Sequence, residues 1–482
     1  MSDPSRGDLP DRRAGGPASN GPAPSMPGAR LPRARVPGAG RWAYGGPRTA
    51  PRQVGVHPAP GHRRRQRVGW LLRLPAFWLA IVALAVGAGR MGTVLAGAWQ
   101  TYPWATSTAV VVFILYAVPF LLILRVVDNL DGEPLPLLLF ALGWGGMVAT
   151  SAAIAGNAAV QDLLAKLVSP RFTTTWGPAI AGASIEELLK ALAVVMVALF
   201  ARPQLTSVMD GFVYGALAGL GFQVVENIIF AVNAVGVAGT GDQVGPVIAT
   251  FLLRGFLGGL WSHTLFTALA GAGIAFVIVR GDRPIGVRAA VLAGAFGAAA
   301  GFHFLWNSPL LADGIGYGMV GVLAALFIKG IPALVVCVAL VRAADRREGD
   351  YYAAMLAGLG DHRMATPREI QALTSLRARA AARRVARARL GTAGARAMRR
   401  LQKAQERLAV ALSRDPGAEL VNRRREVLVR RHQLLALGVA ASFAPPRAHP
   451  TLAVSTAVAV GALVVAVGIA GLTLALRAFG GS

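Results

Sequence analysis

The chain has 482 residues, of which 54% are hydrophobic and only 15% charged, and its mean hydropathy is +0.52. Charged residues make up about a quarter of an ordinary soluble domain, so the composition excludes one and points to a polytopic membrane protein. The formal net charge of +26 is carried by arginine blocks on both sides of an apolar middle. Such blocks suit cytoplasmic flanks held against anionic lipid headgroups; nucleic-acid binding, their other use, is not expected. Cys337 is the single cysteine, which excludes an intrachain disulfide and a thiolate metal cluster.

Residues 1–68 are rich in Pro, Gly, Ala and Arg and lack aliphatic periodicity. They cannot bury a core, and the composition predicts a disordered cytoplasmic arm. The arm ends in a basic cluster at Arg63, Arg64, Arg65 and Arg67. The first apolar run begins only near Pro75, which reads as an uncleaved signal anchor and not as a cleavable signal peptide. Apolar runs of bilayer-spanning length then recur near 75–98, 105–124, 135–159, 177–200, 208–232, 246–280, 286–308, 315–341 and 451–477. The run at 246–280 is too long for one span. Arg254 and the glycines from Gly255 to Gly259 suggest a break, with an interfacial half-helix before a span that begins near Leu260. The expectation is an all-α transmembrane bundle of nine spans: a core over 69–342, and a last span within 450–482.

Between them, 343–449 reads as a basic cytoplasmic helical segment. Thr366-Pro367-Arg368-Glu369 has the form of a capping box with proline at the first helical position. Leu373, Leu376, Leu401 and Leu408 lie among arginines on amphipathic helices, which either lie on the membrane surface or pair with each other. Gly391, Gly394 and Asp415-Pro416-Gly417 are expected to break them. With the N-terminal arm cytoplasmic, Arg125, Arg202, Arg280 and Arg283 also fall inside, in agreement with the positive-inside rule. The oligomeric state cannot be read from the chain.

Against this topology the intramembrane polar residues share a depth. Glu186 and Glu187 sit about ten residues into the fourth span, roughly 15 Å from its outer end. Glu226 and Asn227 lie near the outer end of the fifth, His263 near the outer start of the sixth, and His303 and Asn307 near the outer end of the seventh. Chance placement would scatter them over both halves of the bilayer; an intramembrane carboxylate is costly and marks function by default. Glu186 and Lys190 are four apart and share a helix face, whereas Glu187 points roughly 100° away, so the two glutamates need not do the same job. His303 and Asn307 also share a face. Such a set supports hydrolysis: a glutamate as general base, two histidines and a carboxylate of the types that ligate catalytic zinc, and an amide for an oxyanion.

Glu186-Glu187-Leu-Leu-Lys190 fits an EExxK motif, Phe222-Gln-Val-Val-Glu226-Asn227 fits FxxxEN, and His303-Phe-Leu-Trp-Asn307 fits HxxxN, with Arg254 and His263 between. In this order, on successive spans, they resemble the PrsW family of intramembrane proteases, over roughly 70–342. The resemblance implies a polytopic protease, often classed as a metalloprotease, which makes the first cut in an anti-sigma factor on the extracytoplasmic side. It implies that Glu186 and Glu187 supply the base, and that Glu226, His263 and His303 are candidates for a metal such as zinc. Asn307 would join His303 on the oxyanion side, with Lys190, Asn227 and Arg254 in support. Whether a metal is needed or a glutamate acts alone stays open at this point. Two rivals also stay open: an ion-coupled transporter in which the same groups relay protons, and a non-catalytic scaffold acting through its basic helices.

Overall fold

The computed structural model describes residues 71–128, 134–259, 262–311, 316–414 and 417–438. The N-terminal arm and its basic cluster, the span expected at 451–477, Leu260 and the Asp415-Pro416 break lie outside the described residues. Those described are helical, with no strand among them. Pro75–Thr101 forms α1, Pro103–Asp128 α2 and Leu135–Leu167 α3, which contains a π-helical turn at Trp144–Ala149. The fourth helix, α4, runs through Pro170–Ala181, a π-turn at Gly182–Glu186, and Glu187–Phe200. Val208–Ala238 is α5, Gly245–Thr250 with the π-turn Phe251–Gly258 is α6, His263–Val279 is α7 and Ile285–Asn307 is α8. Gly318–Leu359 is α9, Pro367–Leu373 α10, Leu376–Arg414 α11 and Ala418–Ala436 α12.

Six of these helices are long and apolar enough to cross a membrane, and the bent pair α6–α7 makes a seventh if it counts as one span. The protein is thus a multi-pass helical membrane protein. The segment expected as a span at 177–200 is not among them. Glu186, Glu187 and Lys190 interrupt its apolar surface, and the π-turn interrupts its α-helix. Its three charged side chains find their partners inside the bundle.

The hub is α5. About 78% of its most apolar stretch is buried, against 6% for α8, and it packs against α2, α3, α4, α6, α7 and α9. Its start is fixed by a capping box in which Ser207 accepts from Asp210 N–H and Asp210 accepts from Ser207 N–H. Gly211, Gly215 and Gly219 form a stripe along the face toward α7. A Cβ at Gly215 would stand 2.3 Å from the Thr267 carbonyl oxygen, and one at Gly219 would stand 2.2 Å from that of His263. Small residues at every fourth position let helix backbones approach in a bilayer. Here they set the register of α7, and with it the position of His263.

Beyond the membrane part, the end of α9 with α10–α12 encloses a second core around Leu356, Leu373, Leu401, Leu408 and Val427. The amphipathic helices therefore pair with each other. The capping box at Thr366 and Glu369 forms as expected, and α11 kinks at Gly391, whose φ is 64°. Gly394 does not break the helix. Asp345 on α9 accepts from Leu376 N–H at 2.9 Å and from Arg379 Nη2 at 2.9 Å, which fastens α11 to the end of α9.

Candidate active site

The π-turn of α4 ends at Glu186, so Glu187 opens the following α-helix. Both glutamates and Lys190 are buried, with 4%, 1% and 0% exposure. Spacing alone suggests Glu186 as the partner of Lys190. In the fold Lys190 Nζ lies 2.6 Å from Glu187 Oε1 and 3.5 Å from Glu186 Oε2, and it sits over the Phe222 ring at 4.3 Å. Phe222 thus packs beneath the charge as well as filling space.

Glu187 is held on both oxygens: Oε1 lies 2.9 Å from His303 Nδ1, and Oε2 accepts from Thr267 Oγ1 at 2.8 Å. Glu186 is held on one: Oε1 accepts from Asn157 Nδ2 at 2.8 Å. Its Oε2 is buried without a hydrogen-bond partner among the described residues. That atom lies 3.8 Å from His263 Nδ1 and 3.8 Å from His303 Nε2. The two adjacent carboxylates do have different surroundings, as their 100° separation suggested.

The histidines come from different helices. His263 is the first residue of α7, and His303 lies on the last turns of α8; their rings are 4.9 Å apart, nearly perpendicular. Phe266 stacks on His303 with centroids 5.5 Å apart. On its far side His263 Nε2 meets Glu226 Oε2 at 3.1 Å. Arg254 donates to that same oxygen at 2.8 Å and to Asn227 Oδ1 at 3.1 Å, and its guanidinium lies 3.7 Å from the Phe230 ring centroid. Asn307 Nδ2 donates to His303 Nε2 at 3.0 Å.

These bonds fix the ring tautomers. An ammonium only donates, so His263 Nδ1 accepts from Lys190 at 2.9 Å and its Nε2 carries the proton toward Glu226. Likewise His303 Nε2 accepts from Asn307 and its Nδ1 donates to Glu187. Each imidazole therefore turns its N–H toward a carboxylate, and its lone-pair nitrogen, engaged by Lys190 or Asn307, lies 3.8 Å from Glu186 Oε2.

All nine residues singled out in the sequence thus join one network: Glu186, Glu187, Lys190, Glu226, Asn227, Arg254, His263, His303 and Asn307. Asn157 and Thr267 belong to it as well. Nothing in the sequence motifs marks Asn157, which comes from α3. Thr267 stands four residues after His263, one turn along the same face, and that spacing is a signal that could have found it.

Glu186, His263 and His303 form a group whose ligand atoms all lie within 4.8 Å of one another, and all three are buried. A carboxylate and two imidazoles are the donor set of catalytic zinc sites. The 3.8 Å separations are slightly wider than the roughly 3.4 Å expected between ligands at 2.0–2.2 Å bonds in a tetrahedron. Glu186 Oε2 is a buried acceptor without a hydrogen bond among the described residues, with Lys190 Nζ 3.5 Å away. Gly182 borders the same space: a Cβ there would come within 3.0 Å of Asn307 Nδ2 and 3.2 Å of His303 Nε2. Three carboxylates, Glu186, Glu187 and Glu226, share two basic side chains, Lys190 and Arg254. The residues present fit a metal ion. The sequence-based set of Glu226, His263 and His303 differs in one member, because Glu226 lies behind His263 and Glu186 lies between the rings.

A buried carboxylate–histidine cluster inside a multi-pass helical bundle defines a membrane hydrolase site. Residues 133–341, which contain every member of the network, match the family model described as PrsW family intramembrane metalloprotease. No curated protein and no solved structure gave a match.

Proposed function

We propose that this protein is an endopeptidase that cuts a membrane-anchored protein near the extracytoplasmic face, with zinc held by Glu186, His263 and His303. The observation that carries the reading is the buried Glu186 Oε2, without a hydrogen bond among the described residues and 3.8 Å from one lone-pair nitrogen of each histidine. A bound zinc ion would polarise a water and the scissile carbonyl. Glu187 and Glu226 hold the outward N–H groups of His303 and His263, which orients both rings and raises their basicity. To free the His263 Nδ1 lone pair, Lys190 gives up that one contact and keeps Glu187 and Glu186. The proton of the attacking water passes to the Glu187–Lys190 pair and returns to the departing amine nitrogen, so the pair ends the cycle as it began. Asn307, released from His303 Nε2, turns its amide N–H to the oxyanion.

Cleavage on the extracytoplasmic side, a cytoplasmic N-terminus and contact of the basic flanks with anionic lipid are supported by the arginine distribution. The resemblance supports an anti-sigma factor as substrate. In the domain plan proposed, 69–342 is the protease core, 1–68 and 343–449 are basic cytoplasmic parts and 450–482 carries a last span.

The test compares protein termini in membrane and extracytoplasmic fractions of cells that carry wild-type protein or Glu186→Gln at equal levels. New termini confined to the wild type are expected. Identical termini in both strains, with both proteins folded, would remove Glu186 from the mechanism. Metal content of the purified protein gives a second readout: His263→Ala is expected to lose the zinc that the wild type retains.

A further inference from the structure

Between the last turns of α1 and the last turns of α5 runs an open groove of about 650 Å³. It lies at the end of the bundle that holds the site. Its lining includes small residues, Gly97 and Ala98 on α1 and Gly236 on α5, among larger apolar ones such as Leu95 and Ile229. A Cβ at Gly97 would meet nothing within 4 Å, and one at Gly236 would meet only the Tyr102 hydroxyl at 3.6 Å. Asn233 and Tyr102 bring polar groups into it.

We propose that this groove docks the transmembrane helix of the protein substrate and feeds its unwound end toward the site; the proposal rests on the protease reading above. Three observations favour a helix over a lipid chain. Two glycines and an alanine remove side chains where another backbone would lie, which is how helices associate in a bilayer without a hydrophobic driving force. A peptide bond must leave the helix before it can be cut, and its freed N–H and C=O groups then need partners inside the membrane. Asn233 and Tyr102 supply them. Finally, the groove continues toward the site along α5: Ile229 and Asn233 stand three and seven residues after Glu226, on neighbouring positions of one face, so Asn233 is about 10 Å from Glu226 along the axis. The side chains of Glu226 and Arg254 are the exposed members of that stretch of the network, at 17% and 39%, against 5% for Glu186 and 0% for His303.

The test uses full-length protein in liposomes of phosphatidylethanolamine and phosphatidylglycerol, with a photoreactive residue in place of Val237. The probe is a synthetic leucine–alanine single-span peptide with glycine at every fourth position; the control peptide has leucine there. The glycine peptide is expected to crosslink about fivefold more than the control, the scale of one helix-packing interaction in a bilayer. Gly97→Leu with Gly236→Leu should abolish that difference, whereas Gly89→Leu, on an open face of α1, should not. Should the double variant fail to fold, Asn233→Leu is expected to lower crosslinking in its place. Equal capture of both peptides would overturn the proposal, as would crosslinks to lipid, to a second copy or to the chain's own 451–477 segment.

Glu186→Gln is expected to capture the peptide like wild type, which separates docking from chemistry. If wild type cuts membrane proteins and the groove variants cut them equally fast, the groove is overturned and the protease reading stands. If Glu186→Gln still cuts, the active-site reading falls and the crosslinking result still decides the groove.

Discussion

Gly219→Ala tests whether the close approach of α5 and α7 positions the site. The added Cβ would stand 2.2 Å from the His263 carbonyl oxygen, 2.7 Å from its carbon and 2.9 Å from Thr264 Cα. All three atoms are backbone, so no side chain can swing aside. To reach ordinary contact, α7 must move from α5 by about 1 Å at its first turn, where His263 stands. Overpacking of this kind costs about 1–3 kcal/mol, and the better helix propensity of alanine returns up to about 1 kcal/mol. The stability change is therefore small, and a modest fall in Tm in detergent is expected. Activity is the sensitive quantity: a displacement of about 1 Å at a catalytic group costs on the order of 100-fold. The assay is the rate of appearance of wild-type-specific termini from membranes mixed with the purified variant, with Gly92→Ala, at an open position of α1, as control. A Gly219→Ala protein with wild-type rate would refute the argument that the glycine stripe sets the geometry of His263.

Thr267→Val removes the donor to the buried Glu187 Oε2. Leaving that oxygen unpaired costs about 1–3 kcal/mol, so a lower Tm and a slower rate are expected, with Thr267→Ser close to wild type in both. Arg254→Lys keeps the charge but cannot reach Glu226 and Asn227 together as the guanidinium does. A loss of about 10–100-fold in activity, the usual scale for a group behind a metal-ligating histidine, is expected with little change in Tm; an unchanged rate would show that the arginine only packs on Phe230.

Outside the membrane, burial raises the carboxyl pKa of Glu406, against the pull of Arg379, Lys403, Arg383 and Arg407; Arg379 Nη1 is 3.5 Å away. A carboxyl whose folded pKa is raised binds its proton more tightly folded than unfolded. The helical segment is then most stable below the ordinary glutamate value and loses stability as pH rises through the raised one. Tm should therefore be higher near about pH 5 than near about pH 8, and Glu406→Gln should narrow the difference; an unaltered pH profile would count against it.

Much of this molecule was legible in its sequence. An apolar middle with few charges has no stable alternative to helices in a bilayer, because backbone groups there must be satisfied within their own segment. Charged groups that persist in such helices are costly, so each one points to a site. The motifs at Glu186, Glu226, His263 and His303 could be collected by depth alone, and the fold brings all of them into one network. The kink at Gly391 and the capping box at Thr366 were equally readable, because each depends on residues a few positions apart.

Contacts across helices were decided only by the tertiary structure. Helical spacing gave Lys190 to Glu186, but the π-turn at Gly182–Glu186 and the position of α8 give its shortest contact to Glu187. A pattern of apolar residues counted 177–200 as one more span, whereas three charges interrupt that helix and find their partners on α3, α7 and α8. Asn157 carries no motif, since a single polar group on a helix face is informative only once its neighbour is known. Which carboxylate stands between the histidines and which stands behind them follows from how deeply α5 and α7 approach. That depth is set by Gly211, Gly215 and Gly219, residues without side chains, whose effect exists only when a second helix lies against them.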